Sequence, residues 1–479
     1  MTFIRRFSLL TWILLSPAWP AHAQSWQPLN NQPPFNASTA LLLTDGTVMV
    51  QRVEASEWYR LTPDAFGSYV NGTWSQLASL PPDYGPLYYA SAVLADGRVI
   101  VTGGEYNLSG PAVWSNRGGV YDPLADAWTE LSPPEGWANI GDAQSTVLAD
   151  GTFMLANPFN TRIALLDPTT LTYTVLNPPK DDRNDEEGWT LLPDGSVLTV
   201  DAIAAPRSQR YIPSLNQWVD AGSTIVRLED PGSQELGPAV LRPDGTVFAT
   251  GATGHNAIYD TVSGSWSVGP DFPFVEGEGQ YDIADGPASL LPNGNVLCAA
   301  SPGIFHSPTH FWEFDGNTLT QVDDIPNGPR IPSYVGRMLL LPTGQVLFTD
   351  GSRDVEVYTA SGTFDPSWAP TITSAPDTVQ PGETYTISGT QFNGLSQGAA
   401  YGDDAQSATN YPLVRITNLD TGRVLYARTH DHSSMGVATG DAIVSTSFDV
   451  PVDIELGDSE LEVVANGIPS APVALSISP

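Results

Sequence analysis

Between residues 40 and 351 one pattern of apolar and polar positions returns seven times. A short apolar run leads into a polar turn closed by glycine, and a second apolar run follows. The phrase reads "ALLLTDGTVMV", "SAVLADGRVIVTGG", "STVLADGTFML", "TLLPDGSVLTV", "AVLRPDGTVFATG", "SLLPNGNVLCA" and "MLLLPTGQVLFTDG". The turn glycines are Gly46, Gly97, Gly151, Gly195, Gly245, Gly294 and Gly344, spaced 44 to 54 residues apart. Apolar runs of strand length around Asp-Gly or Asn-Gly predict a β-hairpin with a two-residue primed turn, because glycine takes positive φ without steric cost. A second strand pair follows each hairpin and often carries a tyrosine and a tryptophan: Tyr121 with Trp128, Tyr211 with Trp218, Tyr259 with Trp266.

Four strands in about fifty residues make one propeller blade of the kelch kind. Seven phrases predict an all-β chain that begins with a seven-bladed kelch-type β-propeller. The seventh repeat lacks a tryptophan strand of its own. "QSWQPLNN" near the N-terminus supplies one, with Trp26 in the place that Trp74 and Trp128 hold in their repeats. The N-terminal strand is therefore expected to close the ring, leaving no unpaired edge at the seam. From about Pro370 the repeat gives way to plain alternation, as in "APTITSAPDTVQPGETYTISGTQF". That suits an immunoglobulin-like, early-set β-sandwich of about 110 residues. The expected division is a signal peptide at 1–23, the propeller at 24–366 and the immunoglobulin-like domain at 367–479.

Composition adds a compartment and a charge. In "MTFIRRFSLLTWILLSPAWPAHAQ", Arg5 and Arg6 precede a short apolar run that Pro17 interrupts, and Ala21-His22-Ala23 has the small-x-small form of a cleavage site. This predicts a secretory signal peptide rather than a membrane span, and a secreted or periplasmic chain. The single Cys298 excludes an internal disulfide framework. Against 53 acidic residues stand 19 basic ones, a formal charge of −34 that becomes −36 when Arg5 and Arg6 leave. Such a surface repels nucleic acid and anionic membrane, favours a soluble monomer, and leaves cations and neutral or cationic ligands as partners.

A signal peptide, kelch repeats and a β-sandwich tail together resemble the galactose oxidase and glyoxal oxidase family over nearly the whole mature chain. The tail motif "YARTHDHSSM" is similar to the family's threonine-histidine hairpin. In the family that hairpin enters the propeller's central channel and offers a histidine to copper, here His430 by correspondence. Tyr334 in "IPSYVGRMLLLPTG" matches the family's axial tyrosine, but Val335 stands where a histidine ligand belongs. The cross-linked radical tyrosine corresponds to Asp142, and its cysteine partner falls near Tyr89 or Ala90; Cys298 lies in a later repeat. The cofactor set is incomplete. These residues argue against alcohol or aldehyde oxidation by a copper radical.

The loops leading into the inner strands are rich in acids, among them Asp142, Asp185, Glu186, Glu187, Glu235, Asp282 and Asp285. In one reading Asp142 and Tyr334 meet His430 near the axis and hold a single divalent metal through mixed oxygen and nitrogen ligands. In another, Tyr88, Tyr89, Glu186 and Asp285 bind a carbohydrate or small polyol, with Trp137 and Trp189 as further stacking candidates. A third leaves all of them as solvated loop residues. Three functions follow: a glycan- or polyol-binding propeller without the radical cofactor, a metal-dependent oxidoreductase or glycan lyase-hydrolase using His430 with mouth carboxylates, or a cell-surface interaction scaffold.

Overall fold

A computed structural model describes residues 24–402 and 406–479. The expected signal peptide and the acidic turn at Asp403 and Asp404 lie outside the described residues. All seven turn glycines have positive φ, from 74° to 88°. The turn differs from the primed type expected. Gly46 N–H donates to Leu43 O and Leu43 N–H to Thr47 O, and Asp45 is absent from the positive-φ residues. This is a type I turn followed by a left-handed glycine, the three-residue hairpin loop. The aspartate has a separate task. Asp45 Oδ1 accepts from Thr47 N at 3.0 Å, as Asp96 does from Arg98 and Asp150 from Thr152, so the side chain pins its own turn.

The tyrosine–tryptophan couples are cross-strand pairs. Tyr121 faces Trp128, Tyr211 faces Trp218 and Tyr259 faces Trp266 across the two outer strands, with ring centroids 5.1–5.3 Å apart. Several of the indoles also tie neighbouring repeats together. Trp74 Nε1 donates to Asn31 O, Trp128 Nε1 to Ala78 O and Trp266 Nε1 to Ala221 O, each a carbonyl in or just beyond the preceding outer strand. Trp26 joins this series. Strand Ser25–Pro28 pairs with Glu356–Thr359, placing Trp26 opposite Tyr358, and its Nε1 donates to Asp323 O at 2.7 Å. The N-terminal strand is thus the outermost strand of the last repeat, in the role its tryptophan predicts.

Six of the seven repeats form separate four-stranded antiparallel sheets. The remaining repeat supplies strands Ala288–Leu290, Val296–Pro302, His310–Phe314 and Leu319–Val322, which belong to a larger eight-stranded sheet. The extra strands include a hairpin from the tail, Gly398–Ala400 and Gln406–Ala408, with Ala400 opposite Ala288. That hairpin lies on the propeller axis. Its first strand packs on Ala239–Leu241, Ala288–Leu290 and Arg337–Leu340, and its second on Ala37–Leu42 and Ala90–Val93. Gln397 reaches the two remaining repeats, the third and fourth, donating to Thr146 Oγ1 at 3.0 Å and accepting from Leu191 N at 2.8 Å. One hairpin therefore touches the innermost strand of every repeat. Its small residues, Gly398, Ala399, Ala400, Ser407, Ala408 and Thr409, are what a narrow channel admits.

The other tail strands form one curled nine-stranded sheet rather than two separate layers. Strand Val424–His430 makes the corner, pairing through 424–427 with Leu413–Asn418 and through 428–430 with Val444–Asp449. The two halves enclose a core of Ile387, Phe392, Val414, Ile416, Phe448, Leu461 and Val463.

The histidine hairpin does not enter the channel. Thr429 N donates to Thr44 O, His432 N to Ala95 O and Met435 N to Ala149 O. Each acceptor lies two residues before a turn glycine, so one tail segment crosses the turn ends of three successive repeats in steps of three residues. His430 is held by Asp431 at 2.8 Å and Asp449 at 3.1 Å. His432 is buried parallel to Tyr411, with its Nδ1 at 2.9 Å from Thr446 Oγ1.

Candidate functional site

The inner strands run from the turn end to an opposite, mouth end, and the repeat itself assembles a site there. Tyr88, Asp142, Glu186, Glu235, Asp285 and Tyr334 each lie two to four residues before the inner strand of their repeat. Equivalent positions in a closed array converge on its axis. They line one open cleft of about 510 Å³, together with Glu54, Glu105, Tyr106, Phe305 and neighbouring backbone. That volume is within the range of small-molecule sites.

The cleft's backbone is unusual as well as its charge. Tyr88, Glu186, Asp285 and Phe305 all have left-handed φ, between 51° and 61°. Each such non-glycine residue costs on the order of 1–2 kcal/mol, and such residues cluster at ligand sites. Behind the tyrosines lies Arg337, 3% exposed. Its guanidinium carbon is 3.8 Å from the centre of the Tyr401 ring and 5.4 Å from that of Tyr88. Its Nη1 donates to Tyr334 O and Gly336 O at 2.9 and 2.8 Å. Tyr401, from the axial hairpin, donates its hydroxyl to Tyr334 O at 2.7 Å. The hairpin passes so near that a Cβ on Gly188 would meet Gly402 O at 2.6 Å, so glycine is required there.

Electrostatics single out two acids. Burial, reinforced by the charges of Glu186 and Asp142, pushes Glu235 up to about 9 against a lowering contact with Asp285. Burial also raises Glu105, which hydrogen-bonds Tyr106. The Glu235 carboxyl shares hydrogen bonds with Asp285 and Glu186, but its Oε2 is shut off from solvent and meets no donor among the described residues. One carboxylate oxygen each from Glu186, Glu235 and Asp285 lies within 4.8 Å of the others.

Of the residues singled out from sequence, Tyr88, Asp142, Glu186, Asp285 and Tyr334 therefore share one cleft. Tyr89 does not line it. Alternation turns its ring inward, where it is 1% exposed and donates to Gln51 Oε1 at 2.7 Å. The metal set His430, Tyr334 and Asp142 is not assembled. His430 sits at the turn end, and the seven residues from Asp142 to Ala149 alone put roughly 20 Å between the two ends. Trp137 and Trp189 are core residues, each 4% exposed. Sequence reasoning missed Glu54, Glu105, Tyr106 and Phe305, which follow the second strand of their hairpins. The acids just after "VMVQR" and "VIVTGG" were the available signal.

Among the described residues, the donors lining the cleft are carboxylates and phenols, without imidazole or thiol. Cys298 is fully buried in Val296–Pro302, where burial drives its thiol upward. These residues do not fit a copper-radical centre, which requires imidazole and thioether-tyrosine.

No protein-family model matches the chain. The Kelch-like protein terF of Aspergillus terreus is 34% identical over 132 residues, covering 26% of this chain and 26% of terF, so the chain matches about a quarter of that relative's length. A fungal alcohol oxidase of the AA5 family, solved in complex with copper, superposes with a TM-score of 0.53 at 15% identity, over 96% of this chain and 100% of the oxidase. A catalytically inactive virginiamycin B lyase from Staphylococcus aureus, solved with quinupristin, gives 0.50 at 11% identity, over 71% of this chain and 100% of the lyase. The architecture is that of a kelch-type β-propeller like those of the galactose and alcohol oxidases. At these identities the likeness is one of fold.

Proposed function

We propose that this is an exported seven-bladed kelch propeller with an immunoglobulin-like tail, and that its mouth binds a carbohydrate or small polyol without copper-radical chemistry. The strands between Ala288 and Val322 are read as the sixth blade, widened by the axial hairpin, and the curled tail sheet as a sandwich joined at one corner strand. The observation that carries the functional reading is the cleft's lining. Six carboxyl groups, those of Glu54, Glu105, Asp142, Glu186, Glu235 and Asp285, offer acceptors to hydroxyl donors, while Tyr88, Tyr106 and Tyr334 offer ring faces and phenols. Sugars and polyols present that mixture of hydroxyl edges and C–H faces. The enzymatic alternative built on His430 loses its support, because that histidine is engaged at the other end of the propeller.

Titration calorimetry with neutral sugars, sugar alcohols and amino sugars tests the reading. A ligand should bind once per chain and lose at least about tenfold in affinity, near 1.4 kcal/mol, in Tyr106→Ala and in Glu105→Gln. Absence of binding across the panel, or binding that both variants leave intact, overturns it.

A further inference from the structure

We propose that Glu186, Glu235 and Asp285 hold one hard divalent cation, of the calcium kind, at the mouth of the propeller. The site goes beyond the polyol reading and stands without it.

The spacing of the three carboxylates fits an ion. Oxygens that share an ion at about 2.4 Å can lie no more than about 4.8 Å apart. One oxygen from each of the three side chains meets that limit. The three residues come from the lead-in loops of three successive repeats, and two of them, Glu186 and Asp285, are held in left-handed backbone.

Burial points the same way, independently of the clustering. Glu235 is only 9% exposed, and among the described residues its Oε2 receives no hydrogen bond. A carboxylate oxygen taken out of water without a donor is destabilising, and two partners can relieve it: a proton or a cation. The same molecule contains the cation solution elsewhere. In the buried group Asp182, Glu187 and Asp201, the Lys180 ammonium lies 2.6 Å from Asp182 and 2.6 Å from Glu187. In the cleft trio Glu235 Oε2 has no such answer, yet the trio opens on solvent, from which an ion can enter.

Donor chemistry selects the ion. Oxygen ligands without imidazole or thiol favour calcium, magnesium or manganese over zinc and copper. Irregular loop-borne carboxylates suit calcium, which tolerates varied geometry and keeps waters or ligand hydroxyls in its remaining positions.

Calorimetry on the full chain, freed of metal by chelator and titrated with calcium chloride alone, tests the site. One saturable site per chain is expected, accompanied by a rise in melting temperature. Glu235→Gln and Glu186→Gln should each weaken binding by at least about tenfold, while Asp271→Asn, an exposed acid outside the cleft, should leave it unchanged. Far-UV spectra and melting in chelator establish that each variant is folded; if Glu235→Gln is not, Glu186→Gln alone decides. Calcium binding well below one per chain overturns the proposal, as does binding that the folded cleft variants retain in full. Polyol titration of the chelator-treated protein is read separately, so either reading can fail alone.

Discussion

Glu186 and Glu187 are neighbours in sequence with opposite surroundings. Glu187 points into the protein, 0% exposed, and joins Asp182 and Asp201 around Lys180. Burial pushes the Lys180 ammonium down, but Glu187, Asp182 and Asp201 outweigh it and hold Lys180 above its ordinary value. Burial drives Glu187 upward while Lys180 opposes it; contacts of 2.6 Å with a fully buried ammonium are those of an ion pair. Glu186 turns the other way, into the cleft with Glu235 and Asp285. One trio is closed and carries its own cation. The other lines an open cleft; its Glu235 Oε2, like both oxygens of Asp201, meets no donor among the described residues, but Asp201 has the Lys180 ammonium 3.9 Å away. A cluster of acids therefore says little by itself; what answers its charge separates a structural group from a candidate site.

Breaking the closed trio should have the largest effect. Lys180→Met leaves three buried acids without their cation, and loss of one partner in such a group costs about 3–5 kcal/mol. Urea unfolding at neutral pH should show that loss, and a variant as stable as the parent would remove the contrast between the trios.

Glu235→Gln should act in the opposite direction in chelated protein, raising stability at pH 8. The sign follows from linkage. The folded-state value of Glu235 is about 9, above its ordinary 4.5, so between those values the folded chain binds more protons than the unfolded one. Stability is then lost as pH rises through that window. Asp282 and Glu356, raised by burial to about 8 and about 9, add to the same slope. His432 works the other way, since burial lowers it to about 3 and stability is lost as pH falls below about 6.5. Denaturation between pH 5 and pH 8 should find the parent less stable at pH 8. Glu235→Gln should flatten that slope by about 1.4 kcal/mol per pH unit. An unchanged slope would place the Glu235 carboxylate in an ordinary, solvated setting.

The repeat made much of this legible. A fixed phrase placed the turns, the inner strands and the lead-in loops, so Tyr88, Asp142, Glu186, Asp285 and Tyr334 could be expected at one mouth. Trp26 could be assigned to the last repeat because that repeat lacks a tryptophan strand of its own and Trp26 stands where Trp74 and Trp128 stand in theirs. Alternation is a finer signal than proximity, and it turned Tyr89 into the interior beside Tyr88. The tail was harder. Which of its hairpins fills the channel depends on side-chain size, and "GLSQGAAYG" carries no periodic pattern, whereas the two histidines drew attention to a segment whose backbone, not its imidazoles, docks on the turns. The turn type was hidden for a similar reason. Asp-Gly is compatible with both hairpin loops, and the decision lies in hydrogen bonds the letters do not contain.

The candidate site rests on Glu235 being a buried acid that, unlike Glu187 and Asp182, has no lysine ammonium against it among the described residues. A carbon-13 titration of the glutamate carboxyls in chelated protein, with Glu235→Gln to assign the resonance, measures this directly. Two glutamate carboxyls titrating near pH 9, those of Glu235 and Glu356, with one of them missing from the variant, is the expected result. A Glu235 carboxyl that titrates between about pH 4 and 5, as a solvated glutamate does, would contradict it.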